Sequence, residues 1–575
     1  MQLQWRIATP PPETIAKLVA SLRCSRIIAT LLANRGITND EQARAFMHPS
    51  LQDLRPPEGL QDVDKAVQRL HRAITTNEKI LIFGDYDVDG VTATAVLYEF
   101  LKAAGANVRC YIPHRLTEGY SLQAQHITAY AVPQKIDLII TADCGSASHA
   151  AIDVARQAAI DVIVTDHHEM PDPLPQALAV INPKRPDCPS GMGSLAGVGV
   201  AFYLLVALRR YLREADHWVD RPEPNLKAMC DLVTLGTIAD MVPLQAENRI
   251  IAHHGLETIR NGHRPGLEAL IRISGVEKKT VDADALAFYL APRINAAGRM
   301  DHADLALALL LSDSPDAAMP LARRLQQLNT ARQHAEKGIL EDIQAHLAAH
   351  PRLLENKSLV LAQEGWHAGI LGIVASRVAK RFHRPVVLIS TDGNMGQGSA
   401  RSIAGLNLYS ALKDCRQSLI AFGGHAMAAG LRIQTVQIPD FQQALETTIQ
   451  AMSVDTDLTP DLAIDCELDL GNVDRPLIDA IQALQPFGVA LPKPLFMARN
   501  VRVCSSKIVG SGHRRMVLSP SALSRNIRLD AIQFNVGQDK APPKRFARIA
   551  FELQWNRWNG NQKAQLVVVA VDPAT

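Results

Sequence analysis

The chain has 575 residues, enough for several domains, and its 60 Lys plus Arg nearly cancel 58 Asp plus Glu, leaving a net charge of +2. That balance excludes a protein that grips nucleic acid through overall charge, so any such affinity must come from local asymmetry. The eight cysteines (Cys24, Cys110, Cys144, Cys188, Cys230, Cys415, Cys466, Cys504) form no CxxC pair, which argues against a zinc site or a disulfide framework and fits a reducing cytoplasm.

The opening "MQLQWRIATPPPE" carries no cleavable signal, and residues 1–50 read as a helical segment. From 51 to about 300 an α/β domain is expected. Here "KILIFG", "NVRCYIP", "IDLIITAD", "IDVIVTD" and "ALAVINP" are short β-branched runs that alternate with helical patterns, the sequence form of a doubly wound parallel sheet. The longest uncharged apolar run, Leu195 to Leu208, is too short and glycine-rich to span a bilayer, so no membrane role is expected. Residues 301–350 form a connector, in which Asp316 to His350 makes one long helix with Leu321, Leu325, Leu328, Ala335 and Ile339 at helical spacing. A second α/β domain is expected over 351–455, with "SLVLAQ", a helix from Gly369 to Arg381 and "PVVLIS". Over 465–575 short strands and turn residues suit a small β-barrel of the OB type.

The stretch "GDYDVDG" puts Asp85, Asp87 and Asp89 at alternate positions where an apolar strand gives way to a helix. Ligands of open α/β sheets bind at that end of the strands, and like charges this close raise one another's pKa unless a cation neutralises them. Taken alone, a solvated acidic turn would serve equally well. Three further segments change the balance: "TADCG" ends a strand in Asp143, "TDHHE" ends one in Asp166, His167 and His168, and "GTIADMVPL" places Asp240 after an apolar helical run. Neighbouring parallel strands bring such ends onto one rim, offering carboxylate oxygen and imidazole to two cations. Two adjacent metals suit phosphoester hydrolysis.

These four segments resemble the motifs of the DHH phosphoesterase superfamily, and "GGHAMAAG" resembles the signature of its associated second domain, DHHA1. "APRINAAGRM", the long connector and "WNRWNGNQKAQLVVVAVDP" are most similar to the bacterial single-stranded-DNA exonucleases of that superfamily. The resemblance implies Mg2+ or Mn2+, and the oxygen-rich, thiolate-free ligand set agrees with those ions. It implies that Asp87 and Asp143 serve one ion and Asp89, Asp143, His167 and Asp240 the other, with Asp85 and His168 completing the site. Which ion Asp85 serves stays open. His168 is a candidate to orient water or protonate the leaving group.

"GQGSARSIAGLNL" offers small-residue backbone, hydroxyls and a guanidinium, a mixture suited to a terminal phosphate. By resemblance, Ser399 and Arg401 with Arg115 of "IPHRLTEGYS" form a pocket for a 5′ phosphate. His425 is expected to line a cleft, and Arg293 and Arg299 to meet the strand backbone or tie the connector to the first domain. Between Arg499 and Lys563 stand thirteen Lys/Arg against three acids (Asp530, Asp539, Glu552), interleaved with Phe534, Phe546, Phe551, Trp555 and Trp558. Such a module suits base stacking and phosphate tracking, with Arg514 and Arg515 in the turn-like "GSGHRRM" as phosphate contacts and Phe551 and Trp555 as barrel core. One departure from the family pattern is Ala490–Leu491 in "PFGVALPKPLF", where relatives carry Gly-Asn after "PFG".

The expected function is a two-metal, 5′-to-3′ exonuclease for single-stranded DNA, cytoplasmic and monomeric, acting in DNA repair and recombination with a single-strand-binding protein and a helicase; polarity and DNA preference come from the resemblance. A phosphodiesterase for short oligoribonucleotides or cyclic dinucleotides is the alternative within the enzyme class, disfavoured by the basic barrel. A non-catalytic DNA-binding scaffold is the alternative from another class, disfavoured by the complete set of ligand-type residues.

Overall fold

The computed structural model describes residues 4–453, 461–510, 512–520, 527–537, 544–558 and 561–573. Asp539 and the Trp558 side chain lie outside the described residues. The chain divides into two compact units: Arg55–Val242 with His254–Leu458, and Met1–Leu54 with Pro243–His253 and Thr459–Thr575.

After β1 (Gln4–Ile7), which belongs to the second of these, the larger unit opens with a five-stranded parallel sheet. Its strands are β2 (Lys79–Gly84), β3 (Asn107–Tyr111), β4 (Leu138–Ala142), β5 (Asp161–Thr165) and β6 (Ala179–Ile181), in the order β3-β2-β4-β5-β6. The expected runs form these strands because both faces are covered. Leu81, Phe83, Ile139, Val162 and Val164 pack with Ile127, Ile152 and Ala155 on one side. By the period-two alternation, Ile80, Ile82, Ile140 and Ile163, all fully buried, face the other. That second face is covered by α1 (Val88–Ala103) and α2 (Gly197–Glu214), with α3 (Leu226–Ala239) packed against α1 and α2. Since β3 lies on one side of β2 and β4 on the other, the chain reverses direction of winding between β2 and β4, which opens a crevice at their carboxyl ends.

Helix α4 (Ala291–Met300) leads to the 35-residue connector α5 (Pro315–Ala349), capped by Ser314, which accepts from the Ala317 N–H at 3.3 Å. The first half of α5 packs on α4 and neighbouring helices. Its second half buries Ile339, Ile343 and Leu347 against Leu359, Val374 and Leu388 of the next sheet and helix. That sheet is mixed, in the order β10-β11-β9-β8-β7: β7 (Leu359–Glu364) and β8 (Val386–Asp392) are parallel, and β9 (Met395–Arg401), β10 (Ala421–Gly424) and β11 (Ala428–Gln434) add antiparallel. Helix α6 (Leu371–Phe382) lies on it.

In the second unit, β12 (Asp461–Ile464) pairs in parallel with β1. A barrel follows, built from β14 (Leu495–Val509), β15 (His513–Pro520), β16 (Leu529–Gln533), β17 (Arg545–Trp558) and β18 (Asn561–Pro573), closed by β14–β17 pairing, with β13 (Cys466–Glu467) beside β14. Closure removes the exposed edges that an open sheet would present. The N-terminal helical segment does not stand alone: Leu18, Leu31 and Leu32 share one core with Ile478, Phe496 and Phe551. Arg249 binds this unit internally, donating to the carbonyls of Phe46, Leu484 and Pro486 at 3.0 Å each. Ala490, in the segment that departs from the family pattern, holds a left-handed φ of 59°, a conformation in which Gly or Asn is less strained.

Candidate active site

The backbone ladder of the parallel sheet assembles the acids. Each strand-end residue continues the ladder one step into its neighbour: Asp85 N–H donates to Ala142 O (3.1 Å), Asp143 N–H to Thr165 O (3.0 Å) and Asp166 N–H to Ile181 O (3.1 Å). Asp85, Asp143 and Asp166 therefore stand side by side on one rim, about 5 Å apart by strand spacing. The chain turns from β2 into α1 through Asp87, the N-cap, which accepts from the Gly90 N–H at 3.1 Å. Asp89 sits in the first turn, and Asp240 arrives as the C-cap of α3.

The side chains converge. His167 Nε2 lies 3.2 Å from Asp143 Oδ1, 3.6 Å from Asp240 Oδ2 and 3.9 Å from Asp89 Oδ2. Ligand-type atoms within 4.8 Å of one another fall into three groups: Asp85, Asp87 and Asp143; Asp89, His167 and Asp240; Asp143, His167 and His168. The residues present fit a hard divalent cation, because Asp85 Oδ1, Asp143 Oδ1 and His167 Nε2 are buried without any hydrogen-bond partner, and buried polar atoms are otherwise satisfied. Asp89 does two things at once. Its carboxylate accepts from the N–H groups of Gly197 (2.6 Å) and Val198 (2.9 Å) at the start of α2 and keeps a lone pair directed to the cluster.

Uncompensated by cations, these carboxyls resist ionisation. Burial first, then the charge of Asp87, raises Asp85 well above the usual range and Asp89 to about 7. Burial and then Asp89 raise Asp143, and the same two causes raise Asp240 to about 9. Burial, reinforced by the neighbouring His168, lowers His167 to about 4 and keeps its imidazole neutral. Burial opposes a charge on His168, but the hydrogen bond and charge of Asp166 outweigh it and raise the imidazole to about 9.

A group whose folded pKa is raised contributes stability that is full at low pH and is lost as pH rises through the folded value. Asp89 near 7, Asp240 near 9 and His168 near 9 all have that sign. The metal-free protein is therefore expected to melt at a lower temperature at pH 9 than at pH 7, whereas saturating Mg2+ should flatten the difference. Thermal melts at both pH values, with chelator or with Mg2+, check this; a metal-free melting temperature that rises with pH contradicts it.

Residues that pattern reading left out of the site are Asp166, Tyr120 and Asn182. Asp166 Oδ1 accepts from the His168 ring at 2.8 Å and from the N–H groups of His167 (2.7 Å) and His168 (3.1 Å). Tyr120 Oη lies 3.2 Å from His168 Nδ1, and Asn182 donates to His168 O at 2.9 Å. Only Asp166 had a signal, its place at the end of an apolar strand run.

A second cluster is basic. Arg299 donates to Gly369 O at 3.0 Å, and Arg401 bonds Ser399 Oγ at 3.2 Å. At Gly372, in the first turn of α6, an added Cβ would lie 2.6 Å from the Arg401 guanidinium and 3.0 Å from Ser399 Oγ. Arg115 stacks over Tyr86, 4.7 Å from its ring centre. Burial lowers both Arg299, to about 9, and Arg401, and the positive charge of Arg115 lowers each further. Among the described residues none of the three has a carboxylate within ion-pair distance; Arg299 and Arg401 meet the segment that opens α6, and Arg115 lies close enough for its charge to act on both. That arrangement suits a bound phosphate.

The remaining candidates are placed elsewhere. Arg293 is tied to the connector through Gln326 (2.7 Å) and bonds Tyr289 O. His425 stands exposed at the hairpin tip between β10 and β11. Arg514 and Arg515 lie in β15 rather than in a turn; strand alternation sends Arg514 inward, 6% exposed, and Arg515 outward. Arg514 is thereby removed as a phosphate contact. Phe546 and Phe551 are core, Trp555 is half-buried with its Nε1–H donating to Asp479 at 2.8 Å, and Phe534 is 51% exposed.

Comparison with known proteins places this geometry. Residues 79–237 match the DHH family N-terminal domain, 355–451 the DHHA1 domain and 464–570 the RecJ OB domain. The chain is 36% identical to the single-stranded-DNA-specific exonuclease RecJ of Salmonella typhimurium, covering 100% of both chains. Crystal structures of Thermus thermophilus RecJ superpose over 100% of this chain at 29% identity. The Mn2+ complex gives a TM-score of 0.82 with 80% of that chain covered, and the Mg2+ complex 0.77 with 79%.

Proposed function

Because the chain belongs to the RecJ family of DHH single-stranded-DNA-specific exonucleases, we propose that Asp85, Asp87, Asp89, Asp143, His167 and Asp240 hold two divalent ions beside a 5′-phosphate pocket of Arg115, Arg299, Ser399 and Arg401. The protein is a metal-dependent hydrolase of single-stranded DNA that uses Mg2+ or Mn2+. The observation that carries the residue assignment is the convergence of three buried, unpartnered atoms, Asp85 Oδ1, Asp143 Oδ1 and His167 Nε2.

The ions, when bound, supply Lewis acidity that lowers the pKa of water and offsets charge on the phosphate. The protein's own groups do the rest. Asp143, common to two of the three ligand groups, fixes the spacing between them. Neutral His167 would ligate an ion through Nε2. His168, held protonated by Asp166, gives a proton to the departing 3′ oxygen as water attacks phosphorus and the P–O3′ bond breaks. The arginine pocket, by accepting only a strand end, makes the cut exonucleolytic and sets the 5′-to-3′ direction.

In the barrel, Arg502 and Arg545 are exposed and directly opposite each other on β14 and β17, a like-charge pair that is unfavourable without an anion. Alongside Arg515, which stays exposed on β15, they take the role first assigned to Arg514. Replacing both with Ala is expected to lower the slope of log affinity against log salt by about 1.4, at about 0.7 per lost single-strand phosphate contact. An unchanged slope on the same oligonucleotide would assign the pair to another partner.

The same reading makes the protein a cytoplasmic monomer that works with a single-strand-binding protein and a helicase in DNA repair and recombination. Among the described residues no helix is long and apolar enough to cross a membrane, and all eight cysteines are free. The test is to incubate the protein with end-labelled single-stranded and duplex DNA and with di- to pentaribonucleotides, under Mg2+, Mn2+ or chelator. Mononucleotides released from the 5′ end of single strands alone, and only with metal, are expected. Cleavage confined to the short ribonucleotides favours the oligoribonucleotide reading, and binding without products in any metal favours the scaffold.

A further inference from the structure

Away from the rim, one arginine connects the two helices that carry half of the ligand set. Arg264 donates through Nε to Asp231 Oδ2 at 2.7 Å and through a terminal nitrogen to Asp231 Oδ1 at 3.3 Å. The same guanidinium bonds both oxygens of Glu99, one of them at 3.2 Å. Its side chain is 14% exposed and that of Asp231 7%. Glu99 lies on α1, whose first turn carries Asp89 and whose N-cap is Asp87; Asp231 lies on α3, whose C-cap is Asp240.

The two helices run antiparallel. At the rim end Gly236 of α3 backs onto α1 with no room for a Cβ, which would fall 2.3 Å from Thr92 Oγ1 and 3.0 Å from Asp89 Oδ1. At the far end the three charges join the two helices across a shared guanidinium. Nine residues of helix carry any offset at Asp231 about 14 Å to Asp240. A buried Arg between two carboxylates is a poor device for stability, since well-packed apolar residues usually do as well or better, but it fixes register. A Lys would not serve as well, because a point charge cannot hold two carboxylates in fixed planes.

We infer that Arg264, with Glu99 and Asp231, is a positioning residue for the metal centre: it locks α1 against α3 and so fixes Asp240 relative to Asp87 and Asp89. The inference rests on the metal assignment above. The test compares Mn2+ binding by DNA-free proteins, followed by the electron-paramagnetic-resonance signal of free Mn2+. The variants are wild type, Asp143→Ala, Arg264→Lys, and the neutral triple Glu99→Gln, Asp231→Asn, Arg264→Met, which leaves no buried charge unpaired. Melting curves establish that each is folded. The triple variant is expected to bind Mn2+ about tenfold more weakly, the lower range for lost outer supports of a metal site, with Arg264→Lys in between. The metal concentration for half-maximal hydrolysis should rise in parallel while KM for single-stranded DNA holds. A folded triple variant with wild-type Mn2+ affinity overturns the clamp and leaves the metal centre standing. A wild type that binds no Mn2+, or an Asp143→Ala variant that binds it as wild type does, overturns the metal centre and the clamp with it.

Discussion

Asp143→Asn is expected to reduce hydrolysis of single-stranded DNA by at least about a thousandfold while leaving binding of the same strand, measured with chelator present, within a few-fold of wild type. The carboxylate is common to two of the three ligand groups, and an amide cannot bridge two cations as a carboxylate does. Backbone geometry makes Asn the informative replacement. Asp143 has a left-handed φ of 64°, which Asn adopts with less strain than Ala, so Asn separates loss of charge from loss of shape more cleanly. Removing one of several mutually repelling buried carboxylates should also raise the melting temperature of the metal-free protein. Single-turnover assays, filter binding and thermal melts on the same preparation check all three outcomes. A variant that keeps near-wild-type turnover sinks the two-metal assignment.

The second large effect is expected at the basic pocket. Arg401→Ala removes a largely desolvated guanidinium beside Ser399 and the α6 N-terminus. The loss on a 5′-phosphorylated strand is expected to be about 2 to 3 kcal/mol in transition-state binding, on the order of thirty- to a hundred-and-sixtyfold in kcat/KM. On a 5′-hydroxyl strand, which gives Arg401 nothing to grip, the loss should be several-fold at most. Paired kcat/KM measurements on the two substrates decide it: equal losses would reassign Arg401 to general backbone binding or to support of the fold. Since burial and Arg115 already disfavour its charge, Arg401→Lys should not restore discrimination, because a lysine amine in that place would lose its proton more readily than the arginine.

Much of the nuclease lobe was legible because its signals are local. The apolar runs at Ile80–Phe83 and Leu138–Ala142 could only be buried strands, and the acids that end them had to share a rim once the strands were parallel. The arginine pocket was legible in part: "GSARS" pointed to Ser399 and Arg401, but the approach of Arg299 depends on how α4 meets Gly369, a contact seventy residues apart in sequence. Arg514 was misplaced although the signal existed. Met516 and Leu518 are apolar at the same parity, so period-two alternation puts Arg514 on their inward side. The N-terminal helices could not be assigned to the barrel from sequence, since their amphipathic stripes announce burial but not the surface that buries them.

That last arrangement constrains how the protein comes into being. Leu18, Leu31 and Leu32 complete their core with Ile478, Phe496 and Phe551, more than four hundred residues later, so on a ribosome adding about 5 to 20 residues per second that core stays incomplete for tens of seconds. The nuclease lobe is synthesised in that interval and can close on its own contacts, while the earliest helices remain exposed and dependent on chaperone cover until the barrel emerges. Newly made chains should therefore acquire protease resistance in the order middle first, two ends last and together.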